Sequence, residues 1–439
     1  MKSLFAIALI ASVAGCAAFP EMDGKPVDAI TAASLQLAQS PVWTTDFGDP
    51  GLRRMLAEAD LAGLDVLAAR ARARSADLAL AQQGRGGLPQ ISAQPGAGRD
   101  GLTAGGSLSF DPDLAGRLDA AIRAASLEQQ ASGLDVIAAR RLLGREIVNG
   151  WVGLAAARTQ AARANERITL ERRALDLTRA RVSQGEATAA ETATRSQRLA
   201  QAEITAAESQ GQIALAEARL RALGARSIPA QIPLRTLNRP RIPAQLDLAA
   251  LNARPDVCAA WLRFHAADAA RAETLRASRP RIAVSGSLNA AAKSLAELMT
   301  GNAAAIGHSV SIDGAILDGG QSRGRVDQAR LAVAQAEIGW QQARSRAEIA
   351  ALEAAVDLHG AEAQLTAALA AYRDVDADQA RIRARLDGGL SDGLDLAEGQ
   401  AALAAAQAEV DAARARAFRA AAAWAEAAPR PGTHCGPSA

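Results

Sequence analysis

Leu64–Gly96 reads LDVLAARARARSADLALAQQGRGGLPQISAQPG, and Pro255–Ser287 reads PDVCAAWLRFHAADAARAETLRASRPRIAVSGS. The two stretches align without a gap at an offset of 191, with 12 identities in 33 positions. Five of the identities are alanines in an alanine-rich chain and carry little weight. The pairs Asp65-Val66/Asp256-Val257, Asp77/Asp268 and Pro89-x-Ile91/Pro280-x-Ile282 carry more. In both copies a helical pattern runs into a proline and then alternates with the period of a strand. The chain reads as a tandem duplication of a helix–strand unit.

Working outward from Pro89, Ile91 and Ala93 alternate with polar neighbours. After the turn signal Arg99-Asp100-Gly101, the residues Leu102, Ala104, Gly106, Leu108 and Phe110 fall on one parity, and Pro112 ends the segment. The second copy offers Ile282, Val284, Gly286 and Leu288, a longer loop over about 290–305, then Val310, Ile312 and Ile316. These are two hairpins whose strands approach the ~9–11 residues that a tilted transmembrane strand needs. Four strands cannot close a membrane barrel, which needs at least ~8 and leaves no open edge. Strands that enter a membrane must therefore be shared between chains. Two chains would supply eight strands and three would supply twelve, and spacing does not choose between them.

Beyond each hairpin the chain holds no proline from Asp113 to Ile228, nor from Arg281 to Ala428. Such runs suit very long helices. A helix over 116–183 would extend roughly 100 Å at ~1.5 Å per residue, and 321–386 offers its counterpart. There Leu331/Ile338, Ile349/Val356, Leu358/Leu365, Leu365/Tyr372 and Val375/Ile382 stand seven apart, the spacing of coiled-coil packing. Gly185 and Gly388-Gly389 mark turns into partner helices over about 189–223 and 392–427, so each copy ends in a long helical hairpin. A first helix is expected over about 51–84, stopped by Gly84-Arg-Gly-Gly87 and Pro89.

At 439 residues and 49% hydrophobic content, wholesale disorder is excluded. Aromatic content of 3% is low, and alanine takes its place, which suits closely packed helices. A net charge of +2 gives no electrostatic case for nucleic acid as a partner. Lys2, the apolar run Leu4–Ile10 and Val13-Ala-Gly-Cys16 form a secretory signal whose end resembles a bacterial lipobox, with Cys16 the lipidated residue. Cys258 and Cys435 then remain, either paired in an oxidising compartment or as two unrelated thiols. The expected organisation is a signal peptide (1–15), a lipid anchor and linker (16–48), a first repeat (49–223), a connector with four prolines (224–247), a second repeat (248–427) and a tail (428–439).

With these segments placed, the chain resembles the outer membrane efflux protein family, TolC-like, and within it the lipoprotein branch of tripartite drug-efflux systems. The resemblance rests on Phe47-x-Asp-Pro50, Phe110-Asp-Pro-Asp-Leu-Ala-Gly-Arg117, Pro243-x4-Leu248-x5-Arg254-Pro-Asp-Val257, Arg279-Pro-Arg-Ile-Ala-Val-Ser-Gly286 and Ile316-Leu-Asp-Gly-Gly-Gln321. It implies a mainly α protein with a membrane β-barrel. Three protomers would contribute four strands each to a twelve-stranded barrel, continued by long antiparallel helices as a periplasmic α-barrel. It further implies a homotrimer in the outer membrane that conducts small molecules passively. Its partners would be a periplasmic adaptor, an inner-membrane pump and outer-membrane lipid. Two departures stand out. The strand regions hold one aromatic, Phe110, where barrels carry aromatic girdles, and the second tip, Leu386-Asp-Gly-Gly-Leu-Ser391, lacks the family's bulky or basic residue.

The candidate functional residues lie at the hairpin tips. Glu191 stands six residues after Gly185; Asp395 and Glu398 stand six and nine after Gly389. In a threefold assembly each would become a ring of like charge, which selects cations. The resemblance places Asp395 and Glu398 at the family's acidic constrictions and Glu191 in the neighbouring hairpin. Acids in a helix's first turn are equally what capping and the macrodipole favour.

Other motifs carry less. Gly96-Ala-Gly-Arg-Asp-Gly101 spells a dinucleotide fingerprint, but a second strand follows where the phosphate-binding helix should start. His265, His308, His359 and His434 are far apart, without metal-ligand spacing, and no nucleophile elbow or Walker lysine appears. No enzyme and no cofactor or metal is expected. The competing readings are a lipid-anchored periplasmic coiled-coil protein, structural or adaptor-like, whose strand segments never enter a membrane, and the outer-membrane component of a type I protein secretion system.

Overall fold

The computed structural model describes residues 48–98, 101–230, 232, 249–292, 304–314 and 317–428. The expectations for the signal segment, Cys16, the N-terminal linker to residue 47, Arg99 and Asp100, most of the 224–247 connector, Ile316, Cys435, His434 and the tail from 429 lie outside those residues. Within them, the aspartate- and glycine-bearing motifs stand at element boundaries and act as caps.

Asp49 caps α1 (Pro50–Ala62), accepting from the Leu52 N–H at 2.8 Å, while Pro50 occupies a first-turn position that needs no donor. The single helix expected over 51–84 is instead two. Gly63 ends α1, giving its N–H to the Ala59 carbonyl at 2.7 Å, and α2 runs Leu64–Arg85. A Cβ at Gly63 would lie 2.8 Å from the Ala59 carbonyl oxygen and 2.9 Å from Leu143 Cδ2, so its own helix and a neighbouring one both crowd the position.

The two hairpins form one four-stranded antiparallel sheet, β1 (Gln90–Gly98), β2 (Gly101–Phe110), β3 (Arg281–Ala292) and β4 (Ala304–Asp313), in that order. The register puts Ile91 opposite Leu108, Phe110 opposite Val284, and Val284 opposite Val310. Side chains alternate across a strand, so these residues share one face with Leu288, Ile306 and Ile312. The opposite face carries Ser92, Thr103, Ser107, Ser285, Asn289 and Ser309. There Ser92 and Ser107, and Ser285 and Ser309, hydrogen-bond across the strands at 2.8 Å. Much of the apolar face is bare, with Ile91 81% and Ile306 83% exposed.

After β2 the chain turns at Asp113 (φ 48°) and Gly116 (φ 68°) into α3 (Arg117–Ser183). Asp113 accepts from the Arg117 and Leu118 N–H groups at 2.8 and 2.7 Å. The hairpin partner is α4 (Ala189–Ala222). In the second copy α5 (Pro255–Ala277) leads to β3. Asp318, Gly319 and Gly320 start α6 (Gln321–Asp387), whose partner is α7 (Gly393–Ala427). Asp318 accepts from the Ser322 N–H at 2.7 Å and the Gly320 N–H at 3.0 Å, and its bonds to Ser322 chiefly hold its carboxyl below the usual range.

The chain divides into two compact units, each drawing on both sequence copies. One contains Arg70–Asp135 and Asp256–Ala343, including the sheet. Its helices pack Ala131 against Ala259 and Leu262, and Arg263 reaches Asp135 at 2.5 Å and Glu128 at 3.3 Å. Hydrogen bonding to Asp135 raises the Arg263 pKa above the ordinary guanidinium value. Buried Cys258 is disulfide-bonded; the chain's other cysteines, Cys16 and Cys435, lie outside the described residues.

The other unit holds α1, Val136–Pro255 and the chain from Arg344 onward. Leu52, Met55, Ile147, Trp151, Leu154, Leu220 and Phe418 form its main core. Further along, α6 and α7 meet through Ala361, Leu365, Val410, Ala413 and Ala417, a contact kept close by alanine. Arg254 of the Arg-Pro-Asp-Val segment gives a hydrogen bond to the Ala427 carbonyl at 2.7 Å.

The seven-residue spacing is only partly used inside the chain. Leu358 and Leu365 are buried, but Leu331 (65%), Ile338, Ile349, Leu352 and Val356 (70%) are exposed. No helix among the described residues is long and apolar enough to cross a membrane.

Candidate functional site

Both hairpin tips are built by one device. Gly185 (φ 78°) and Gly389 (φ 70°) take the left-handed conformation that glycine adopts without Cβ strain. After them, the Glu186 N–H returns to the Arg181 carbonyl at 2.9 Å and the Leu390 N–H to the Arg385 carbonyl at 2.8 Å. These are Schellman closures, so sequence alone sets where each long helix stops.

Each return helix then starts on a cap. Thr188 caps α4 in a capping box, with Glu191 the reciprocal residue: the Glu191 N–H reaches Thr188 Oγ1 at 3.3 Å and the Thr188 N–H reaches Glu191 Oε1 at 3.2 Å. Asp392 caps α7, accepting from the Leu394 and Asp395 N–H groups at 2.8 and 3.0 Å. Glu191 and Asp395 thus occupy equivalent positions in the two copies, the third of the helix. Asp395 accepts a 2.7 Å hydrogen bond from Ser391 Oγ.

Beside Asp395 and Glu398, the preceding residues Leu394 and Ala397 are buried against Ala174 and Leu177 of α3. Both acids are left exposed. Glu398 is ion-paired with Arg195 of α4, and Asp392 with Arg181 of α3. Two arginines of the first hairpin therefore hold the start of the last helix. Burial lowers the Arg195 pKa and the neighbouring Arg198 adds to this, while Glu171 and Glu191 act the other way. Arg195 accordingly lies in the field of Glu191 and pairs with Glu398, which connects two of the three expected site residues. Asp395 makes no contact with that pair.

Sequence reasoning missed Arg181, Arg195 and Asp392. Arg181 falls in the last turn before a tip glycine and Arg195 four residues after Glu191, local positions that suggest helix-end electrostatics rather than a partner in the other copy. It also missed Gln379 of α6. This side chain is 2% exposed, and neither its Nε2 nor its Oε1 has a hydrogen-bond partner. It lies against Gly399, where a Cβ would collide with Gln379 Oε1 and come within 2.8 Å of Ile382 Cδ1.

Of the described histidines, His265 packs edge-on to Trp261 at 4.2 Å between ring centroids. Among the described residues no group of three His, Cys, Asp or Glu side chains is placed to hold a metal ion.

No family model matches the chain, and no curated protein sequence does. Solved structures do. CusC, studied for its conformational changes on folding and transmembrane channel formation, superposes with a TM-score of 0.77 at 19% identity, over 91% of this chain and 96% of that one. The outer membrane protein VceC of Vibrio cholerae gives 0.72 at 20% identity, over 89% and 99%. The CmeC outer membrane channel of Campylobacter jejuni gives 0.75 at 17% identity, over 89% and 88%. At such identities the likeness establishes the fold, which is that of TolC-like outer-membrane channels.

Proposed function

We propose that this chain, built on the fold of the outer-membrane channels, is the outer-membrane duct of a tripartite efflux system, passing small molecules from periplasm to exterior without catalysing a reaction. The observation that carries this reading is the sheet. One face is apolar and bare, the other is lined by hydroxyls, and a single chain cannot close it. A lipid-facing surface backed by a wet lumen has this pattern. An adaptor that stays in the periplasm has no use for it.

Three copies would supply twelve strands and close the barrel without an edge. The exposed stripe on α6, from Leu331 through Leu352 to Val356, fits burial between protomers. Cys16 lipidation would add an anchor to a barrel poor in aromatics. A periplasmic adaptor and an inner-membrane pump would be the partners, the pump supplying the energy.

The tips act as the periplasmic gate in this reading. Asp395, bonded to Ser391 but to no cation among the described residues, would form a ring of three acids. Glu398 is held by Arg195 and serves as a latch between hairpins, with Arg181–Asp392 beside it. Glu191, in its capping position, adds a favourable field at Arg195. These arginines take the place of the basic residue absent from the second tip.

Reconstitution of the purified protein into planar bilayers tests the reading. Discrete ohmic steps are expected, and a correctly assembled protein that leaves the bilayer silent would overturn it.

A further inference from the structure

A cavity of about 750 Å³ lies where the sheet meets its helices. Five arginines line it, Arg117, Arg276, Arg279, Arg281 and Arg325, against three carboxylates, Asp111, Asp113 and Asp313. The volume is that of a small-molecule site, but the charge balance is unusual.

The carboxylates are engaged elsewhere. Asp111 accepts from the Asp113 N–H at 2.9 Å, and Asp113 caps α3 through both its oxygens. Asp313 accepts from Ser311 Oγ at 3.1 Å; it stands opposite Arg281 in the strand register, yet no ion pair forms between them. The arginines are held, and one of the five, Arg117, is ion-paired. Arg276 donates to the Gly116 carbonyl at 2.6 Å, Arg325 to Ser322 Oγ at 3.2 Å, and Arg117 lies 3.7 Å from Glu273. Arg279 and Arg281 pair with no carboxylate among the described residues.

Folding does not demand these two cations. The first copy makes the same helix–proline–strand junction with Leu88 and Gln90 at the equivalent positions. The basic pair is an addition to the repeat, confined to its second copy. Arg281 has the parity of Ser285 and Asn289, so it belongs to the polar face of the sheet.

We propose that this cavity is a binding site for a phosphate-bearing anion, with Arg279 and Arg281 supplying the free guanidinium forks and Arg276 a third, fixed in orientation by Gly116. Guanidinium planes match phosphate oxygens two at a time, which an ammonium cannot do. The binding itself is independent of the channel reading; only the site's place at the lumen side of a barrel rests on it. The phosphate has two possible sources, a water-soluble phosphate ester or an anionic lipid headgroup, and the polar parity of Arg281 points to the soluble one.

The test uses the full-length assembled protein with sodium pyrophosphate as probe, titrated calorimetrically in detergent at low salt. A second arm measures phosphatidylglycerol against phosphatidylcholine retention in nanodiscs. Arg279→Gln with Arg281→Gln is expected to weaken pyrophosphate binding about tenfold or more, and added salt to weaken the wild type. Asp313→Asn keeps both arginines, removes one opposing charge and is expected to tighten binding. Selective loss of phosphatidylglycerol retention in the double variant, with no pyrophosphate effect, would uphold the site with a lipid as its source. Equal binding of both probes by wild type, Asp313→Asn and an assembled double variant would overturn it. Pyrophosphate binding by a protein that conducts no current would leave the site standing and remove the channel reading alone.

Discussion

Glu398 of α7 is ion-paired with Arg195 of α4, so the two helical hairpins of one chain are joined close to their tips. The partners come from different sequence copies and from helices that each begin a few residues earlier on an acid-bearing cap. Arg181 and Asp392 repeat the arrangement alongside. Glu398 is therefore largely neutralised within its own protomer, and Asp395 is the acid left to act on a passing ion.

The first prediction separates those roles. Asp395→Ala with Glu398→Ala is expected to raise conductance at least about twofold and weaken block by multivalent cations. Arg195→Gln is expected to raise conductance while leaving cation block in place, since Asp395 is untouched. Bilayer recordings of the three proteins decide it. Unchanged conductance and block in the double variant would remove the gate from these residues.

The contact between Gly399 and Gln379 makes two predictions of opposite sign. Gly399→Ala drives a methyl into Gln379 and Ile382 and is expected to cost about 1–3 kcal/mol of hairpin stability. Gln379→Met removes a buried amide whose two polar atoms are unpartnered and is expected to stabilise by about 1 kcal/mol. Thermal unfolding followed by circular dichroism measures both. Amide protection of α6 and α7 near the tip should move in the same two directions.

Glu58 provides the pH dependence. It accepts from the Arg226 N–H at 2.9 Å and from the Ser227 N–H and hydroxyl at 3.2 and 3.0 Å. The bond from the Arg226 backbone is the main reason its pKa lies below the ordinary 4.5. A carboxyl with a depressed folded pKa contributes stability above its unfolded pKa and loses it as pH falls through the folded one. Wild type is therefore expected to exceed Glu58→Gln in stability at neutral pH, with the difference fading below about pH 4.5. A difference that persists unchanged to pH 2 would assign Glu58 a packing role only.

Leu352 and Val356 lie four residues apart on the bare face of α6. Aspartates there would be unpaired charges inside a closed assembly, costing about 3 kcal/mol or more per interface. Leu352→Asp with Val356→Asp is expected to shift the detergent-purified protein from trimer to monomer by native mass spectrometry, without loss of helical signal. A trimer that survives would place this stripe elsewhere.

Much of this architecture is legible in the chain because the signals are local. Proline-free runs bounded by Gly185 and Gly389 announce the hairpins, and alternation around Ile91, Leu108, Val284 and Val310 announces the strands and their faces. What escapes is set by distant contacts. A side chain at Gly63 would meet Leu143, eighty residues on, as well as the Ala59 carbonyl of its own helix, and the first of these contacts is invisible to local pattern. Arg195 and Glu398 are some two hundred residues apart, so each reads as an ordinary helix-end charge until the fold brings them together. Seven-residue spacing predicted a seam, and Leu358, Leu365 and the partly buried Tyr372 use it within the chain; Leu331 and Val356 show that the same period also marks surfaces left bare.

The most direct measurement concerns the apolar sheet face. Cys16→Ala removes the proposed lipid anchor and leaves only that face to hold the protein in a membrane. Expressed with its signal segment and fractionated without detergent, the variant is predicted to stay with the outer membrane. It should then require detergent to come out as a trimer. Its release as a soluble monomer in the periplasmic fraction would contradict the barrel and favour a lipid-anchored periplasmic protein.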